Sequence, residues 1–136
     1  MRKWLVLLLF PILIGCSDSE KKAEEYVDSC PVKVEATVFD HANDRSLYEG
    51  EVCLDEGETA LDVLESTDLT LTFEGSGEMV YVAAVEGIRE KSAGGASGWV
   101  YGVNGKPGDV AAGLKVLENG DEVEWRFEKN AMAYFE

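Results

Sequence analysis

Residues Ser97 to Phe127 contain two amphipathic strand patterns, and these constrain the fold more than any other stretch. In the first, Trp99, Tyr101 and Val103 alternate with Val100, Gly102 and Asn104. A period of two residues places both aromatic rings on one face of a strand. Asn104-Gly105 ends it, because that dipeptide accepts the positive φ angles of a tight turn. In the second, Val123, Trp125 and Phe127 alternate with Glu122, Glu124, Arg126 and Glu128, so one face is apolar and the other fully charged. That is the pattern of a half-buried antiparallel strand. Asn119-Gly120-Asp121 supplies the turn that leads into it.

The remaining patterns are consistent with this pair. Val32, Val34, Ala36 and Val38 alternate with polar residues, Asp40 to Asp44 reads as a turn, and Leu47 to Leu54 as the return strand with Val52 and Leu54 inward. If that turn is centred between His41 and Ala42, Val32 lies opposite Glu51 and Cys30 opposite Cys53. Helical spacing occurs once, over Ala60 to Glu65, with Thr59 as N-cap, Asp62 three positions on, and Leu61 and Leu64 on one face. Leu69, Leu71 and Phe73 suggest a short strand stopped by Gly75-Ser76-Gly77. Met79 to Val85 is apolar on both faces, as in a central strand. Glu86 to Gly98 reads as a long polar loop, and loops of that length inside a small domain often carry function. The order predicts an α+β fold, one helix packed on one face of a small mixed sheet. Ala131 to Glu136 carries no assignment.

The first fifteen residues are set apart. Arg2 and Lys3 precede an apolar run, Trp4 to Ile14, too short to span a bilayer as a helix. With Leu13-Ile14-Gly15-Cys16 following, the segment resembles a bacterial lipoprotein signal. The resemblance implies cleavage before Cys16 and attachment of lipid to its sulfur, which would hold the protein on the outer side of a membrane through its acyl chains. An ordinary secretory signal is the alternative. The expected organisation is a signal peptide over 1–15, a lipidated Cys16 and polar tether over 16–31, and one domain over 32–136. Loss of Arg2 and Lys3 takes the formal charge from -15 to -17. So acidic a chain repels phosphate backbones, which excludes nucleic acid as a partner. The charge reads as surface solubility rather than a cation site, since no stretch has the alternating ligands of a calcium loop. With Cys16 lipidated, Cys30 and Cys53 remain as a disulfide pair in an oxidising compartment.

Groups for enzymatic chemistry are scarce. His41 is the single histidine and falls in a turn, no serine sits in a nucleophile elbow, and no His/Cys cluster has zinc spacing. The expectation is a protein that is not an enzyme and has no bound metal. Trp125 reads as core. Trp99, Tyr101 and Phe127 are also most economically core, but Trp99 directly follows the glycine-rich loop, where a strand's first aromatic can lie at a rim and stack on a planar ligand.

Four motifs in order, Thr59 to Leu64, Val80-Tyr81-Val82 to Gly87, Ser97 to Gly105 and Leu117 to Phe127, resemble the transcobalamin-like C-terminal domain family over roughly Val32 to Phe127. The resemblance implies a β-grasp, ubiquitin-like fold, here a mixed sheet of four to five strands with one short helix. It also implies a surface lipoprotein that binds a soluble small molecule, with cobalamin or another corrinoid as ligand and a membrane transporter as recipient. The expected contacts are Gly94, Gly95, Trp99, Tyr101, Asn104, Gly105 and Lys106, where a glycine loop admits close backbone approach beside a flat aromatic surface. The alternative is a structural or adhesive module whose sheet edge contacts another cell-envelope protein.

Overall fold

The computed structural model describes residues 29–136; the expected signal segment, Cys16 and the tether as far as residue 28 lie outside the described residues. The alternating valines form β1 (Val32–Asp40), which turns through His41 to Asp44 into β2 (Arg45–Leu54). Thr59 then caps a short helix, α1 (Ala60–Glu65), in a capping box: its hydroxyl accepts from the Asp62 N–H while the Asp62 carboxylate accepts from the Thr59 N–H. Six strands follow: β3 (Leu71–Glu74), β4 (Tyr81–Val85), β5 (Ile88–Arg89), β6 (Gly98–Val103), β7 (Lys106–Pro107) and β8 (Glu122–Glu128). Three-residue 3-10 turns occupy Gly77–Met79 and Ala112–Leu114, and a longer one, Ala131–Phe135, ends the chain.

The strands make two sheets in a mixed α+β fold. Five are ordered β2-β1-β8-β6-β7, with β1 and β8 parallel and the other pairs antiparallel. The other three are ordered β3-β4-β5, all antiparallel. The second sheet, in which β4 pairs with both β3 and β5, differs from the expectation of one sheet. Glu86 and Gly87 both take positive φ, 50° and 75°, so the chain reverses in two residues and pairs Val85 with Ile88. The stretch read as one polar loop therefore opens with a hairpin. Asn104-Gly105 makes the same kind of turn, with φ of 53° and 78°, between β6 and β7.

The β1–β2 register also departs from expectation. Asp40, fully buried, accepts hydrogen bonds from the Ala42 and Asn43 N–H groups at 3.0 and 3.1 Å, which fixes a turn that pairs Asp40 with Arg45. A bulge between Val38 and Phe39 then shifts the ladder, so Val32 faces Leu54 and Lys33 faces Cys53. Cys30, just before β1, still reaches Cys53 in a disulfide with 5.7 Å between Cα atoms.

One apolar core lies on a single face of the larger sheet. Val32, Val34, Ala36 and Val38 of β1, Val52 and Leu54 of β2, and Val123, Trp125 and Phe127 of β8 are buried there. Ala60, Val63 and Leu64 of α1 cover it, so the buried helix face is turned slightly from the Leu61–Leu64 stripe, and Leu61 is only half-buried. Each such aliphatic side chain contributes about 1.5–3 kcal/mol on burial. Val82 and Val85 of β4 complete the core. On the opposite face, the C-terminal turn lays Tyr134 over Gly102. Its hydroxyl is 3.0 Å from Glu124 Oε1, and Arg126 stands 4.8 Å from its ring centre.

Candidate functional site

The β6–β8 ladder sets the aromatic residues in pairs. Trp99 stands opposite Phe127 and Tyr101 opposite Trp125, with ring centres 5.3 and 5.4 Å apart. Trp125 is 3% exposed and donates its indole N–H to the Ala60 carbonyl at 3.0 Å, joining sheet to helix. Trp99 is half-buried and donates to the Ile88 carbonyl at 2.8 Å, joining the two sheets. The relative depth of the two indoles is as expected, Trp125 in the core and Trp99 nearer its rim.

Tyr101 fastens the next segment. Its hydroxyl donates to the Val110 carbonyl, and its own carbonyl accepts from the Gly108 N–H at 2.9 Å. A Cβ on Gly108 would lie 2.2 Å from the phenol Cζ, so only glycine lets the backbone lie on the ring. Burial, and secondarily the Asp109 carboxylate, raise the Tyr101 phenol above its ordinary pKa. Tyr101 therefore acts as a fixed wall rather than a mobile contact.

Because β7 pairs only with Gly102 and Val103, the edge of β6 from Gly98 to Tyr101 is left without a strand partner on that side. An open groove of about 340 Å³ runs along it. Trp99, Tyr101 and Trp125 line it together with Met79, Val80 and Tyr81 and with Val110, Ala111, Ala112 and Phe135. Four of the large side chains named are exposed, Met79 at 78%, Tyr81 at 44%, Val110 at 45% and Phe135 at 47%. Exposed apolar groups gathered around a concavity mark an interaction site.

The expected contact residues are distributed over several places. Trp99 and Tyr101 line the groove. Asn104 and Lys106 line an adjoining polar depression with Asp109 and Lys115, which shares only Gly108 with the groove. Gly105 borders an acidic hollow on the opposite face with Glu35, Glu49, Glu122 and Glu124. Gly94 and Gly95 are exposed, with no atom within 4 Å of a Cβ added to either. The Asn104 side chain bridges to Asp121 and to the Glu122 N–H, both at 2.9 Å, and so holds the β6–β7 turn against β8. Met79, Val110 and Phe135 were not singled out by sequence reasoning. Their signal was available only as apolar residues following glycine-containing turns, and for Phe135 there was none. Among the described residues, no three His, Cys, Asp or Glu side chains are grouped to hold a metal ion.

The described residues thus form a small α+β domain with an open apolar groove between its two sheets. The chain belongs to the family described as a domain of unknown function, DUF4430, whose match spans residues 57–129, from the turn before α1 to the end of β8. Among solved structures it is similar to a protein from Ruminococcus gnavus ATCC 29149 named as a candidate metal binding protein. The match has a TM-score of 0.59 and 18% identity, and covers 71% of this chain and 96% of that one. It is also similar to haptocorrin in complex with Cbi, with a TM-score of 0.59 and 21% identity. That match covers 73% of this chain and 25% of haptocorrin, so only a quarter of that protein is represented here. At such identities the likeness is one of fold. No curated protein matches the chain.

Proposed function

We propose that this domain is a non-enzymatic binding module of the β-grasp type, which holds a soluble small ligand in the groove between its sheets. We place it outside the cytoplasmic membrane, anchored through lipid on Cys16, where it passes the ligand to a membrane transporter. The observation that carries the reading is the groove itself, with aromatic rings in its lining and exposed Met79, Val110 and Phe135 around it. Cobalamin or another corrinoid is the ligand class favoured, from the motif resemblance and from the likeness to haptocorrin, a structure that holds Cbi. A groove of about 340 Å³ falls at the small end of ligand pockets, so it would grip one edge of so large a molecule. The described thiols are bonded to each other and His41 sits in the β1–β2 turn, 4.0 Å from Glu128, which favours binding over catalysis.

Equilibrium dialysis of the protein against cyanocobalamin and related corrinoids tests the proposal. Saturable binding that Trp99→Ala weakens by at least about tenfold, about 1.4 kcal/mol, supports it. Absence of binding at millimolar concentration rejects it. In that case β2 favours the second reading, a module that contacts another envelope protein. Its ten residues, Arg45–Leu54, form the outer edge of the larger sheet.

A further inference from the structure

The groove has a polarity that its apolar lining conceals. Of the side chains that line it, the one carboxylate is that of Glu78, in the 3-10 turn beside Met79. Asp109 flanks it between Gly108 and Val110. Tyr81, also in the lining, has its hydroxyl within 2.9 Å of Glu74 Oε2 and 3.1 Å of Glu90 Oε1. One phenolic proton serves two carboxylates there.

Two of the described arginines are held in ion pairs, one of them with Glu74 itself, whereas Lys106 and Lys115 form none. Arg89 is paired with Glu74, and Arg126, close to the C-terminal turn, is paired with Glu124 and Glu128. Lys106 and Lys115 line the adjoining depression with Asp109. Among the described residues, neither Glu78 nor Glu90 has a cationic partner within ion-pair distance. A charge entering an apolar groove loses part of its hydration, so the sign of the surrounding potential decides which ligands gain and which lose.

We infer that the groove prefers an apolar ligand bearing positive charge over neutral or anionic ligands of the same shape, with Glu78 as the residue that meets that charge. This rests on the groove being the ligand site. It narrows the ligand to an amphiphilic cation, or to a large neutral molecule that presents a cationic edge. Glu78 is an exposed residue of a short turn, so its charge can be changed without disturbing the core.

Three cobalamins that differ at one peripheral group provide the test: neutral cyanocobalamin, its anionic monocarboxylate, and the cationic aminoalkyl amide made from that monocarboxylate. Their dissociation constants for the full chain are measured by tryptophan fluorescence at low and high salt. The expected order is cation tightest and anion weakest, with at least about a fivefold span that shrinks as salt screens it. Glu78→Gln should narrow the span and Glu78→Lys should narrow it further or invert it, with near-ultraviolet circular dichroism confirming the native fold. If all three bind equally in the parent, or the span is unchanged in Glu78→Lys, the charge preference is wrong while the groove stands. If none of the three binds, the groove reading fails, and this inference with it.

Discussion

Replacing Trp125 tests how the helix, the sheet and the groove depend on one another. The side chain is 3% exposed, stacks on Tyr101 with ring centres 5.4 Å apart, and bonds to the Ala60 carbonyl at 3.0 Å. Trp125→Ala removes the ring from a packed core, a change that costs about 3–5 kcal/mol. Trp125→Phe keeps much of the apolar volume but loses the hydrogen bond, about 1 kcal/mol, and leaves a smaller void, for about 1–3 kcal/mol in all. Trp99→Ala, half-buried, should cost less than Trp125→Ala although it too loses an indole bond. The assay is urea unfolding followed by far-ultraviolet circular dichroism. With m near roughly 1.5 kcal/mol/M, Trp125→Ala should lower the midpoint by roughly 2–3 M, a large part of the margin available to a domain of this size. The m-value should stay constant. Equal losses for the two tryptophans, or a Trp125→Phe variant as unstable as Trp125→Ala, would refute the assignment of Trp125 as the joint between helix and sheet.

Three other outcomes are expected. Cys30 and Cys53 should resist thiol labelling without reductant, and replacing both by Ser should cost about 3 kcal/mol for a closed loop with a sequence separation of 23. Gly102→Ala should destabilise by about 1–3 kcal/mol, since the new Cβ would lie 2.2 Å from the Tyr134 hydroxyl and 2.9 Å from the Lys106 carbonyl. Adding Tyr134→Ala should restore only part of that loss, because the backbone carbonyl stays in the way; full recovery would contradict the geometry. In alkaline titration followed by phenolate absorbance, Tyr81 and Tyr134 should ionise late. Hydrogen bonds to Glu74 and then Glu90 push Tyr81 up to about 12, while burial, followed by Glu124, pushes Tyr134 up to about 12. A raised phenol stabilises the fold fully below its ordinary value of 10.0, and that contribution is lost as pH rises from there through about 12. Tyr81→Phe and Tyr134→Phe should each remove part of the late step.

Periodicity made most of the elements legible, because a strand with one buried face must alternate. Val32 to Val38, Glu122 to Glu128 and the Trp99–Val103 stripe all follow that rule, and Thr59 with Asp62 marked the helix start through capping chemistry. What periodicity does not encode is pairing. The β1–β2 register turned on the buried Asp40 carboxylate and on a bulge at Val38/Phe39, neither of which alters the alternation at the start of β1. The β4–β5 hairpin of the second sheet depended on Glu86 accepting positive φ, which Asn-Gly announces and Glu-Gly does not. The candidate site was legible only at Trp99 and Tyr101. Its other walls come from residues far apart in sequence, Met79, Val110 and Phe135, which become neighbours only once β4, the Gly108–Ala112 segment and the C-terminal turn have packed around β6.

The groove, rather than either glycine turn or the β2 edge, is the proposed ligand site. The most direct measurement is a titration of the isotopically labelled protein with cyanocobalamin, followed by amide and indole N–H chemical shifts. Ligand in the groove should give saturable shifts at the Trp99 indole, at Met79 to Val82 and at Gly108 to Ala112, with Gly94, Gly95 and Arg45 to Leu54 unmoved. Shifts confined to Gly94, Gly95 and Asn104 to Lys106, or to the β2 edge, would contradict it.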